Sequence, residues 1–168
     1  MVLTPHAVVG ASIASIFKLN PFTAFFAGFL SHFFMDSVPH WDYKLRSARL
    51  DEVNPLNNDL VINRESTIDF IKIGFDAFLG LSLSLIFFTL GANVSPLVIL
   101  AGALGAILPD PLQVVYVKYR REPFLTLQKT HMLFHTRKRI TNPVVGVLLY
   151  CLLLLVCLLL GGVSFFIW

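Results

Sequence analysis

Charge is scarce in this sequence, and cysteine is nearly absent. Only 14% of its 168 residues are Asp, Glu, Lys or Arg, while 56% are hydrophobic. A soluble domain of this length covers its surface with roughly a quarter of its residues charged. The composition therefore excludes an ordinary water-soluble globular domain. Cys151 and Cys157 fall on different faces of one apolar run, which suits small packing residues and leaves no disulfide framework or thiolate metal pair. No nucleotide-binding loop, Gly-x-Ser-x-Gly elbow or haem-attachment motif is present. The start of the chain has neither the basic stretch nor the small-residue cleavage site of a signal peptide, so it is expected to be retained.

What is abundant is apolar sequence in long runs. Residues 67–91, 95–108 and 142–168 read as bilayer segments, and the last contains no charge at all. Thr4-Pro5, Asn20-Pro21, Ser95-Pro96 and Asn142-Pro143 each precede an apolar stretch. Each pairs a capping side chain with a proline whose missing N–H is harmless in the first helical turn. Ser66 followed by Asp69 is a further start signal of the capping-box kind. The expected fold is an all-α integral membrane protein forming one membrane domain, with helices over 5–17, 21–37, 67–91, 96–116 and 143–168. The first two are short for spanning and suit a tilted or re-entrant hairpin.

Basic residues set the expected orientation. Lys44, Arg46, Arg49 and Arg64 lie in segment 38–66. Lys118, Arg120, Arg121, Lys129, Arg137, Lys138 and Arg139 lie in segment 117–142, whereas the 18–20 turn has only Lys18 and 91–95 has none. The positive-inside rule makes both basic segments cytoplasmic, with the N-terminus inside and the C-terminus outside.

That topology gathers the residues a membrane helix should avoid. His6 begins the first helix; His32 and Asp36 share one face near the end of the second, where Pro39 stops it ahead of His40 and Asp42. Asp76 lies about 14 Å along the third helix. Asp110 is flanked by prolines in "ILPDPLQ", and His131 and His135 stand one turn apart in "THMLFHTR". All five histidines fall on one side of the membrane. Ionisable groups in a membrane segment are costly and default to a functional reading. Imidazoles with carboxylates are the ligand set of zinc, manganese and iron, and a two-metal centre for phosphoester hydrolysis is compatible with their number.

Each signal has a plain structural alternative. His32 and Asp36 can be a hydrogen-bonded pair, and His131 and His135 can belong to an interfacial helix facing headgroups. Asp110 can be an N-cap for the residues after it, Asp76 can pair with Lys72, and Asp42, Asp51, Glu52 and Asp59 can be solvated loop charges. Arg120, Arg121, Arg137, Lys138 and Arg139 satisfy the positive-inside rule or grip a phosphate.

"TPHAVVGA", "GFLSHFFMDSVPHWD", "GALGAILPD" and "THMLFHTR" together resemble the YdjM-like family of membrane-bound metal-dependent hydrolases. The resemblance implies His6, His32, Asp36 and Asp110 as site residues, with His131 and His135 behind them. The His-x3-Asp helix is also similar to metal-binding helices of zinc-dependent phospholipases C, which implies a phosphodiester substrate, a lipid among them. The family's His-Arg-Gly-x-Thr-His element is absent, and the His-x3-Asp helix precedes the Leu-Pro-Asp helix rather than coming after it.

The expected function is thus a membrane-embedded hydrolase of a lipid or membrane-associated phosphoester, using a metal-activated water. Its metal ligands are drawn from His6, His32, Asp36, His40, Asp110, His131 and His135, and its ion is zinc, with manganese or iron as alternatives. His131, His135 and Asp76 are the catalytic candidates, and Arg120, Arg121, Arg137 and Arg139 the phosphate-binding ones. The expected partner is membrane lipid, and nucleic acid is not expected. The rivals are a metal or proton transporter, with Asp76 as its permeation residue, and a non-catalytic membrane scaffold.

Overall fold

A computed structural model describes residues 2–51, 53–136 and 138–163 of the chain. Arg137 and the last five positions of the expected 143–168 helix lie outside the described residues. The chain is mostly helical: α1 (Leu3–Ile16), α2 (Pro21–Ser37), α3 (Arg64–Ser84), α4 (Pro96–Ile107), α5 (Pro109–Tyr119), α6 (Phe124–Phe134) and α7 (Pro143–Val163). The α3 helix continues into a wider π-type coil over Leu85–Gly91. Between α2 and α3 the chain forms a two-stranded antiparallel ladder, β1 (Ala48–Arg49) with β2 (Asp59–Leu60).

Asn20 and Asn142 cap as their sequences suggest, accepting from Thr23 N (3.0 Å) and Val144 N (2.9 Å). Three starts differ. Helix α1 begins two residues before Pro5, with Val2 at its N-cap, so Thr4 sits inside the first turn and its hydroxyl is free for another partner. Helix α3 begins at Arg64, where Asn63 and Ser66 form a reciprocal capping box; Ser66 is its third residue rather than its cap. Ser95 occupies the N-cap position of α4 without a side-chain bond.

The expected helix 96–116 is two helices, bent by 45°. Pro109 and Pro111 cannot donate the hydrogen bonds that a continuous helix would send to the Gly105 and Ile107 carbonyls. The basic segment 117–142 is likewise not all loop, since α6 occupies its middle. By length and composition, Arg64–Gly91 and Pro143–Gly161 are able to cross a membrane, or three spans if the bent α4–α5 pair counts as one. Helices α1 and α2, with 14 and 17 residues, fall short of the roughly 20 an upright span needs.

Helix α4 is the central element, wedged between α1 and α2. Gly10 and Gly102 face each other, Gly28 lies on the Gly102 carbonyl, and Gly105 lies on that of Phe25; a Cβ at any of these would collide with backbone. Small residues let helix backbones approach where no bulky apolar core separates them. The bulky side chains point outward instead: Phe22, Phe26, Leu30 and Phe34 form an exposed stripe on α2, opposite its buried Ala24, Gly28, Ser31 and His32. Only 17% of each spanning window is buried inside the protein.

The close α1–α4 approach predicts that Gly102→Val forces these helices apart and costs about 1–3 kcal/mol. Gly74→Ala, where a Cβ meets nothing within 4 Å, should be neutral or stabilise by up to about 1 kcal/mol. Thermal unfolding of both variants in detergent checks the contrast.

Candidate metal centre

Asp36 is the hub. It sits in the last turn of α2 and is buried. Its Oδ2 lies 2.8 Å from His131 Nε2 and 3.2 Å from His32 Nε2, and its Oδ1 lies 3.4 Å from His6 Nε2. His32 is its i−4 neighbour on the same helix face; His131 arrives from the last turn of α6 and His6 from α1. Asp110 enters from the first turn of α5, where the positive end of the helix dipole favours a carboxylate. Its Oδ1 lies 3.8 Å from His32 Nε2 and 3.7 Å from His131 Nε2.

His32, Asp36, Asp110 and His131, all buried, offer ligand atoms within 4.8 Å of one another and could hold a metal ion. Two imidazole nitrogens and two carboxylates are a normal zinc-type donor set. Bonds of about 2.0–2.2 Å in a tetrahedron place ligand atoms roughly 3.3–3.6 Å apart. The separations that involve a histidine nitrogen, from 2.8 to 3.8 Å, bracket that edge.

Protonation sharpens the fit. His32 Nδ1 lies 2.8 Å from the Ala106 carbonyl oxygen. A carbonyl only accepts, so Nδ1 carries the hydrogen and Nε2 of the neutral ring presents a lone pair. That lone pair faces two carboxylates and, at 3.1 Å, His131 Nε2. Such convergence of electron-rich atoms is repulsive unless a proton or a cation sits among them. The backbone bond to Nδ1 is the customary means of orienting a metal-binding imidazole. The ring of His6 stacks on that of His32, with centroids 4.3 Å apart, and buttresses it from behind.

The remaining site residues divide cleanly. His40 and His135 join Asp36 in an adjoining group. Their positions result from chain pairing after α6: Thr136 N donates to the Asp36 carbonyl (2.8 Å) and Ile140 N to that of His40 (3.0 Å). Trp41 anchors the same strand, lying over Gly146 of α7 and accepting through its carbonyl from the Tyr150 hydroxyl at 2.6 Å. His40 Nε2 is 3.3 Å from Asp42 Oδ2. Burial opposes charge on both, but their hydrogen bond prevails: Asp42 is held well below the usual carboxylate range and His40 above the ordinary imidazole value. Burial lowers His135, favouring its neutral ring.

Asp76 lies outside both groups. It accepts from the Leu3 and Thr4 amides and, at 2.6 Å, from the Thr4 hydroxyl. A carboxylate at a helix N-terminus satisfies orphan amides, so Asp76 caps α1 from a neighbouring helix; the Tyr43 hydroxyl also donates to it at 3.4 Å, and no ion pair with Lys72 occurs among the described residues. Asp51 likewise organises its turn, accepting from Val53 and Asn54 amides at 2.9 Å.

The centre opens into a cleft of about 730 Å³, lined among others by Asp36, Asp110, His131, Lys44 and Arg139, with Leu45, Leu50 and Met132 on its apolar wall. Of the arginines expected near a phosphate, Arg139 lines this cleft. Arg120 ends α5 in a left-handed conformation (φ 46°) and bonds the Asn58 carbonyl at 3.3 Å. Arg121 is exposed outside the cleft lining, and Arg137 lies outside the described residues. Two residues of the site are not among those the sequence singles out. Gln113 donates to Asp110 Oδ1 at 2.9 Å; its i+3 spacing from Asp110 is the one available signal. Lys44 carries none, because only the fold turns the loop toward the cleft.

Replacing Asp76 with Ala should cost about 1–2 kcal/mol through lost capping while leaving bound metal at the wild-type level. Thermal unfolding with elemental analysis of the same samples separates those effects.

No family model, curated protein or solved structure matches the chain.

Proposed function

We propose that the protein is a membrane-embedded, metal-dependent hydrolase acting on a phosphoester of a lipid or membrane-associated substrate. The observation that carries this reading is the convergence of buried His32, Asp36, Asp110 and His131, from three helices, at the floor of an open cleft. Helices that expose long apolar faces support insertion in a bilayer, where those faces meet lipid. The excess of basic residues in segments 38–66 and 117–142 supports a cytoplasmic centre. The motifs around His6, His32, Asp110 and His131 support kinship with the YdjM-like hydrolases.

His32, Asp36, Asp110 and His131 would hold the ion, with zinc first by donor type and manganese or iron as alternatives. A divalent ion there supplies a Lewis acid for a phosphoryl oxygen and lowers the pKa of a water. Lys44 and Arg139 bind the phosphate's charge from the cleft rim, and Leu45, Leu50 and Met132 take an acyl or other apolar portion. Gln113 steadies Asp110, and Ala106 fixes the His32 tautomer. The transport alternative leans on Asp76, whose carboxylate is engaged with the N-terminus of α1.

Detergent-purified wild type should contain zinc or a related transition metal, lost in His32→Ala and in Asp36→Ala, and should hydrolyse short-chain phospholipids or bis(p-nitrophenyl) phosphate. Arg139→Ala and Lys44→Ala should each raise KM about tenfold, the equivalent of one lost charge-assisted contact, with a smaller change in kcat. Metal-free wild type, or metal retained in both ligand variants, would refute the reading.

A further inference from the structure

We infer that a second divalent cation binds beside the first, held by His40 and His135 and sharing Asp36 with the buried group. This rests on the buried group being a metal site. Asp36, His40 and His135 offer ligand atoms within 4.8 Å of one another, and all three line the cleft.

The tautomer logic seen at His32 recurs at both rings. His40 Nδ1 lies 2.8 Å from the Val38 carbonyl oxygen, and His135 Nδ1 lies 3.0 Å from that of Thr136. Both therefore carry hydrogen on Nδ1 and leave Nε2 as the atom each can offer. The ring centroids are 5.0 Å apart, and the backbone pairing of 136–140 against 36–40 keeps them side by side. His40 Nε2 also lies 3.3 Å from Asp42 Oδ2, so an ion bound there takes the place of the proton His40 otherwise shares with Asp42. Asp36 turns Oδ2 toward His32 and His131 and Oδ1 toward His6 Nε2 at 3.4 Å, and it belongs to both groups. Carboxylates shared in this way are how two-metal hydrolytic centres hold their ions together.

The two sites differ in access: the first group is buried, whereas His40 and His135 are only partly so, which makes the second ion the weaker and more exchangeable.

The experiment titrates chelator-stripped, full-length protein with Mn²⁺, scoring bound ion by equilibrium dialysis and spin coupling by EPR. Two Mn²⁺ per chain, with the coupled spectrum of a carboxylate-bridged pair, are expected in wild type. The His40→Ala/His135→Ala double variant should bind one Mn²⁺ with an uncoupled spectrum. Wild type saturating at one ion that His32→Ala abolishes would overturn the second site and leave the first standing. Absence of any bound ion would overturn both. Two ions retained by the double variant would overturn the ligand assignment. The wild-type stoichiometry depends on no variant's folding.

Discussion

A carboxylate taken out of water among apolar helices is expensive unless it is surrounded by partners. Asp36 is that carboxylate, and much of the molecule can be understood as the arrangement that satisfies it. His32 reaches it along its own helix, while His6 and His131 come from elements far apart in the chain. The glycines of α1, α2 and α4 let those helix backbones approach closely, which sets His6 of α1 beside His32 and Asp36 of α2.

Proline does the second part of the work. In Leu-Pro-Asp-Pro the missing amides end α4 and start α5 at an angle of 45°. The bend aims Asp110 into the bundle at the beginning of a helix, where its charge is favoured. The Ala106 carbonyl lies between those left without their helical donors, and it accepts the proton of His32. The break thus positions a carboxylate and orients an imidazole at once.

The polar chain around the centre is organised by contacts that cross between elements. Asp69 accepts from the Ser47 amide and hydroxyl, tying the β1–β2 region to α3. Tyr116 donates to the Leu56 carbonyl at 3.1 Å, tying it to α5. With Trp41 seated on α7, these contacts fix the chain segment that carries Lys44, Leu45 and Leu50 of the cleft lining.

The sequence by itself determined the helical class and the helix starts at Pro21 and Pro143, because hydrophobic runs and the Asn-Pro caps are local signals that survive in any context. It also made the titratable residues near Asp36 conspicuous, since burial cost marks His6, His32, Asp36 and Asp110 in an apolar chain and His-x3-His has a helical period, but it left Gln113 and Lys44 unmarked. Tertiary structure alone decided what each residue faces. Asp76 looked as misplaced as Asp36, yet one caps α1 and the other gathers imidazoles, because a carboxylate's role depends on which N–H groups or nitrogens the fold brings to it. The same holds for Lys44 and Arg139 against Arg120. Basic residues near a membrane end are alike in one dimension, and only the course of the connecting chain turns some of them into the cleft.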